Sequence, residues 1–144
     1  MTVKTLAIAS DHGGVELKSA IIELLKDRGV EVSDLGTNGS ASVDYPDFAQ
    51  AVAKSIIDGS AEAGILVCGS GIGMSIAANR FQQVRAALVH DRLSAELCRQ
   101  HNNANVLCLG ARLLGEATAL DCVDAFISTE FEGGRHEGRI AKMS

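Results

Sequence analysis

Apolar residues recur along this chain in two alternating rhythms. Short runs such as Leu6-Ala-Ile-Ala9 and Ile65-Leu-Val-Cys68 are continuously apolar over a strand's length, whereas Leu17, Ile21, Leu24 and Leu25 are spaced as one helical face. The pattern predicts a strand at Leu6–Ala9, a helix from Val15 to Arg28 closed by Gly29, and a strand at Val30–Leu35. A polar loop covers Gly36–Asp44, and Pro46 suits the first turn of a helix running to about Ile57. Next come a strand at Ile65–Cys68 and a helix opened by a glycine loop. Arg85–His90 then reads as a fourth strand, Leu93 to about Gln100 as a helix, and Asn105–Leu109 as a fifth strand. A helix from Glu116 to about Phe126 leads into a polar tail.

Strict strand–helix alternation implies a parallel sheet with helices on both faces. The expected fold is α/β: a single-domain, three-layer α/β/α sandwich around a five-stranded, parallel, Rossmann-like sheet. Ligands of such sheets sit beyond the carboxyl ends of the strands. There the chain places Ser10-Asp11-His12-Gly13-Gly14, Cys68-Gly69-Ser70, His90-Asp91 and Gly110-Ala111-Arg112. Reactive residue types thus gather on one expected rim, although loops also collect charge for solvation alone.

Composition narrows the classes. With 144 residues, 47% hydrophobic and one proline, the chain fits one globular domain and neither a disordered nor a collagen-like segment. Four Phe, one Tyr, no Trp and a net charge of −5 speak against nucleic acid, which calls for stacking platforms and a basic surface. No apolar run approaches the ~18 residues of a membrane span. The N-terminal run is strand-sized and lacks a signal peptide's cleavage pattern. Four irregularly spaced cysteines then read as reduced thiols in a cytoplasmic protein.

Cys68 leads directly into Gly69-Ser70-Gly71-Ile72-Gly73. Backbone N–H groups freed of side chains can crowd around an anion at a helix start, and a thiol beside them could act as a thiolate. The competing reading is a small buried hydrophobe at a strand end, which also suits Cys98, Cys108 and Cys122. The pattern is neither a dinucleotide fingerprint nor a Walker loop. A cysteine-phosphatase loop would need Arg where Met74 stands, so that chemistry is disfavoured.

His101 ends a helix, where an imidazolium can simply cap carbonyls. Asp11 and His12 can open an ordinary turn. Neither Asp11-His12 nor His90-Asp91 has metal-ligand spacing, so no metal is expected. In the tail, Arg135 and Arg139 lie four apart and, if helical, share a face able to grip a phosphate or carboxylate; a solvated helix is the alternative.

Asp11-His12-Gly13-Gly14, Asp44-Tyr45-Pro46, Cys68 to Gly73, Arg99-Gln100-His101-Asn102, Asn105-Val106-Leu107, Gly110-Ala111-Arg112 and Glu132-Gly133-Gly134-Arg135-His136 together resemble the ribose-5-phosphate isomerase B family. That family includes allose-6-phosphate and galactose-6-phosphate isomerases, and the likeness covers nearly the whole chain in order. It implies an intramolecular oxidoreductase of the pentose phosphate pathway, interconverting ribose 5-phosphate and ribulose 5-phosphate without a cofactor. Cys68 resembles the base that moves a proton between enediol carbons. A branch with a glutamate a few residues later is not matched, because Met74 and Ser75 carry no carboxylate. His101 matches the group that opens the sugar ring, with Asp11 near the sugar. Gly69, Ser70, Gly71, Ile72, Gly73 and Asn102 match groups holding the enediolate and sugar oxygens. His12, Arg112, Arg135 and Arg139 match phosphate and substrate positions. The resemblance further implies a homodimer or homotetramer whose site lies at a subunit interface, with the tail from about residue 127 contributing.

These residue types suit the reaction. Shifting a proton between neighbouring carbons needs a matched base, a stabilised oxyanion, an acid–base group near the ring oxygen and an anchored phosphate. Rival readings are an isomerase of another sugar phosphate, including a four-carbon one, and a binding module without turnover. Substrate length would be set by Tyr45 and the loop Gly36–Asp44. A receiver-like domain is disfavoured, because Cys68 and Gly110 occupy the places of its Asp and Lys.

Overall fold

A computed structural model describes residues 3–144. Strands β1 (Thr5–Ser10), β2 (Glu31–Asp34), β3 (Ala63–Cys68), β4 (Ala86–Leu88) and β5 (Val106–Gly110) form one parallel sheet in the order β2-β1-β3-β5-β4. A central strand of such a sheet must be apolar on both sides, and β3 is buried at every position. Alternate residues serve opposite layers. Leu6, Ile8, Ile65, Val67, Leu107 and Leu109 enter one core, while Ala7, Ala9, Leu66, Cys68, Val106 and Cys108 enter the other.

Helices α1 (Val15–Asp27), α4 (Arg92–Gln100) and α5 (Glu116–Ser128) cover the first core. Helices α2 (Tyr45–Ile57) and α3 (Ile72–Ala78) cover the second. The expected α/β/α sandwich is therefore present. A short helix α6 (Arg135–Ala141) forms in the tail, so Arg135 and Arg139 do share a helix. Among the described residues no helix is long and apolar enough to cross a membrane.

Three details depart from the hydrophobic pattern. Strand β4 is shorter than Arg85–His90, because it pairs only with β5 and the Arg85 N–H is taken by Asn105 Oδ1 at 2.7 Å. Helix α5 continues two residues past Phe126, to Ser128. A single 3-10 turn over His12–Gly14 separates β1 from α1, capped by Asp11.

Two consequences position the chemistry. Strand order reverses between β1 and β3, a topological switch point, so Asp11 and Cys68 leave the sheet side by side. Each crossover helix carries the chain back along the sheet, so α4 and α5 end on the rim where strands begin. That rim is one β5 length away, roughly 13 Å at 3.3 Å per residue.

Candidate active site

Cys68 forms the floor of an open cleft of about 850 Å³ lined also by Asp11, Tyr45, Gly69, Ser70, Ile72, Gly73, Ile76, Arg112 and Leu113. The residue is 5% exposed and lines the cleft. The chain then turns sharply at Gly71, whose φ of +77° favours glycine. A Cβ there would lie 2.7 Å from Leu88 Cδ1 and 2.9 Å from the Leu109 carbonyl carbon, so glycine is required on both counts. In this conformation the Gly71 N–H donates to Cys68 Sγ at 3.2 Å. The Ile72 N–H is directed to Ser70 Oγ at 3.2 Å.

The cleft walls follow from close approaches. A Cβ on Gly73 would collide with the Tyr45 ring at 2.6 Å, so the ring lies directly against the loop. The Arg112 stem passes over Gly69, and the Arg112 N–H donates to the Gly69 carbonyl at 2.9 Å. This places a guanidinium-bearing side chain at the cleft mouth. Met74, at the position that argued against phosphatase chemistry, is fully buried.

Asp11 is held by its own turn: its N–H donates to the Val67 carbonyl at 3.1 Å, and its carboxylate accepts the Gly13 N–H at 2.9 Å. His12 does not line the cleft. It borders an adjacent depression with Gly13, Glu16, Asn38, Gly39 and Ser40. Its Nδ1 accepts the Val43 N–H at 3.3 Å, which leaves Nε2–H as the donor for an anion. The loop supplying Val43 is tethered by Lys18, which is fully buried. Lys18 Nζ donates to Asp34 at 2.6 Å and to Asn38 Oδ1 at 2.7 Å.

His101, Asn102, Arg135 and Arg139 are elsewhere. His101 caps the end of α4 and therefore lies on the rim opposite Cys68. Asn102, Arg135 and Arg139 are exposed beside it. The tail is fastened there by the Glu132 N–H, which donates to the Gln100 carbonyl at 3.0 Å, and by buried Arg99, whose Nε donates to the Thr129 carbonyl at 3.2 Å. The His101 and His136 rings stack with centroids 4.5 Å apart and planes inclined by 16°. Burial and the neighbouring Arg135 and His101 lower the His136 pKa, with Glu132 opposing them.

The expected residues thus divide into two groups. Asp11, Tyr45, Cys68, Gly69, Ser70, Ile72, Gly73 and Arg112 line one cleft, with Gly71 beneath and His12 alongside. One chain does not bring His101, Asn102, Arg135 and Arg139 to Cys68. Cys98, Cys108 and Cys122 are buried as packing residues, with thiols pushed up by desolvation, Cys98 and Cys122 to about 11. Sequence reasoning passed over Ile76 and Leu113 in the cleft wall, and Glu132 and His136 on the far rim. The first two read as ordinary exposed apolar positions. The signal for the second pair was their spacing of four with a histidine inside a basic tail.

A family model described as ribose/galactose isomerase matches residues 6–143. The chain belongs to this family. It is 46% identical over 142 residues to the ribose-5-phosphate isomerase B of Escherichia coli, covering 99% of this chain and 95% of that protein. Among solved structures, a ribose 5-phosphate isomerase of Thermotoga maritima superposes with a TM-score of 0.95 at 52% identity, covering 97% of each chain. The ribose-5-phosphate isomerase B of Mycoplasma genitalium, solved with bound ribulose 5-phosphate, gives 0.94 at 46% identity over 99% of this chain and 95% of that one. Family membership thus extends over both rims, including the tail.

Proposed function

We propose that this chain is a cytoplasmic ribose-5-phosphate isomerase of type B, whose whole length forms one catalytic domain and whose active site is shared between two copies. The observation that carries the reading is the Cys68 sulfur, buried beneath the Gly71 N–H at the floor of a cleft whose mouth holds Arg112. Family membership and the ribulose 5-phosphate bound by the Mycoplasma genitalium relative support the substrate.

The reaction follows from the residues. Ribose 5-phosphate arrives largely as a ring; His101 of a second copy protonates the ring oxygen as the anomeric hydroxyl gives up its proton to water, and Asp11 stands near the sugar hydroxyls. The open aldehyde then lies over Cys68, whose thiolate takes the C2 proton. Electrons move into the C1 carbonyl, giving a cis-enediolate. Backbone N–H groups of the Gly69–Gly73 loop, of which those of Gly71 and Ile72 are directed to Cys68 Sγ and Ser70 Oγ in the free chain, join Ser70 and Asn102 of the second copy in holding its oxygens. The O2 proton passes to O1 as Cys68 returns its proton to C1, so C1 becomes a hydroxymethyl group and the C2 oxygen the ketone of ribulose 5-phosphate. No net redox partner is consumed, and protein groups alone complete the proton transfer. His12 Nε2–H, Arg112, and Arg135 and Arg139 of the second copy hold the phosphate, which orients the reacting carbons. Tyr45 against Gly73 limits cleft depth and hence substrate length.

The placement of the two groups on opposite rims supports a second copy. The sugar must touch Cys68 and His101 together, and one chain holds them on opposite rims. A two-fold pairing that sets the Cys68 rim of each copy against the His101 rim of the other makes two complete sites. Exposed Ile72, Ile76 and Leu113 around the cleft supply apolar surface for such a contact.

A panel of ribose 5-phosphate, allose 6-phosphate, galactose 6-phosphate and erythrose 4-phosphate, assayed with chelator present, tests the assignment. Ribose 5-phosphate is expected to show the highest kcat/KM. Faster turnover of a six- or four-carbon sugar would reassign the substrate, and binding without turnover of any would overturn the isomerase reading.

A further inference from the structure

The far rim holds a cluster that the isomerase reading does not use in full. Glu132 Oε1 lies 3.5 Å from His136 Nε2 and 3.9 Å from His101 Nε2, and the three ligand atoms all fall within 4.8 Å of one another. Two glycines with positive φ, Gly133 at +68° and Gly134 at +59°, turn the chain so that Glu132 comes back over His136. His136 itself is 5% exposed, and its Nε2 is buried with no hydrogen-bond partner. A buried polar nitrogen without a partner is costly unless something occupies it.

We propose that His101, Glu132 and His136 form a binding site for a divalent transition-metal cation, zinc foremost, and that its occupation inhibits the isomerase by engaging His101 Nε2. Two imidazoles and one carboxylate are a zinc donor set that leaves a fourth position for water. Tetrahedral zinc with bonds near 2.0–2.1 Å sets its ligand atoms about 3.3 Å apart. The Glu132–His136 separation already approaches that value, and the 40%-exposed His101 closes the rest by turning out of its stack on the His136 ring, with the half-exposed Glu132 side chain following. His136 is pre-placed by burial, with its Nε2 turned toward Glu132. Arg135 and Arg139 oppose a cation, which makes the site weaker than that of a resident metal and suits reversible inhibition. A phosphorylated substrate held by the same arginines neutralises them, so metal and substrate meet at one place.

The metal site stands on the cluster alone, whereas the inhibition rests on the proposed ring-opening role of His101. Two readouts separate them. In calorimetry, zinc chloride titrated into the tag-free, full-length protein should bind one ion per chain. Glu132→Gln, an exposed change that preserves folding, and His136→Ala should each weaken binding at least about tenfold, while Cys68→Ala leaves it unchanged. Cobalt(II) should show the intense visible bands of a tetrahedral ion, lost in both cluster variants. No binding, binding unaffected by the cluster variants, or binding abolished by Cys68→Ala would overturn the site. In turnover, zinc should slow conversion of ribose 5-phosphate, with full recovery on adding chelator. Zinc bound at the cluster without slowing turnover would overturn the inhibition and the ring-opening role of His101, but not the metal site.

Discussion

At the scale of single residues, the account depends on Cys68 and the glycine that serves it. Replacing Cys68 with Ala should lower kcat for ribose 5-phosphate by about a thousandfold and abolish solvent exchange of the C2 proton. Binding of a phosphorylated sugar acid should be preserved, because the proposed phosphate contacts lie elsewhere. Substantial residual exchange would remove the thiol as base. Gly71→Ala tests the loop rather than the sulfur. Its φ of +77° and the crowding by Leu88 and Leu109 force the turn to move, which displaces the N–H aimed at Sγ. Turnover should fall about a hundredfold, with KM little changed. A near-normal kcat would show that the N–H contact is incidental.

Elements set which of these residues meet. The strands were legible because the central ones are buried on both faces, and uninterrupted runs such as Ile65–Cys68 record that burial directly. Helix α1 was legible from Leu17, Ile21 and Leu25, which enter one core together. The 3-10 turn after Asp11 was not, because a three-residue turn has no hydrophobic period. Nor was the grouping of His101, Glu132 and His136, which depends on Arg99 tying α4 to the chain around Thr129. The Cys68 cleft could be read because strand ends and glycines mark it locally. The proposed second half rests on family resemblance, since its residues come together through tertiary packing.

Two measurements belong at this scale. Lys18 links α1 to β2 and the following loop through Asp34 and Asn38, so Lys18→Met should destabilise the fold by about 2 kcal/mol in chemical denaturation. That value is moderate because Asp34, one-third exposed, regains water when its partner is removed. An unchanged midpoint would mean that the tether is not coupled to folding. On α6, Arg139→Ala should raise KM for ribose 5-phosphate about tenfold with a smaller change in kcat, as loss of a charge-assisted phosphate contact requires. An unchanged KM would return α6 to a solvated helix.

For the whole molecule, the parallel sheet sets the Cys68 cleft on one rim and the His101 cluster on the other. Crossover helices return every chain segment to the starting rim, so a residue ending α4 and one ending β3 face opposite ways. The family likeness spans both rims, and the proposed chemistry draws on both. The central claim is therefore that Cys68 of one copy works with His101 of another. The most direct measurement mixes Cys68→Ala with His101→Ala protein, each inactive alone, under conditions that allow subunit exchange. Half of the resulting dimers are mixed, and each has one intact site of two, so ribose 5-phosphate isomerase activity should recover to about one quarter of the wild-type value. Mixtures that exchange subunits yet stay as inactive as their components would contradict the shared site.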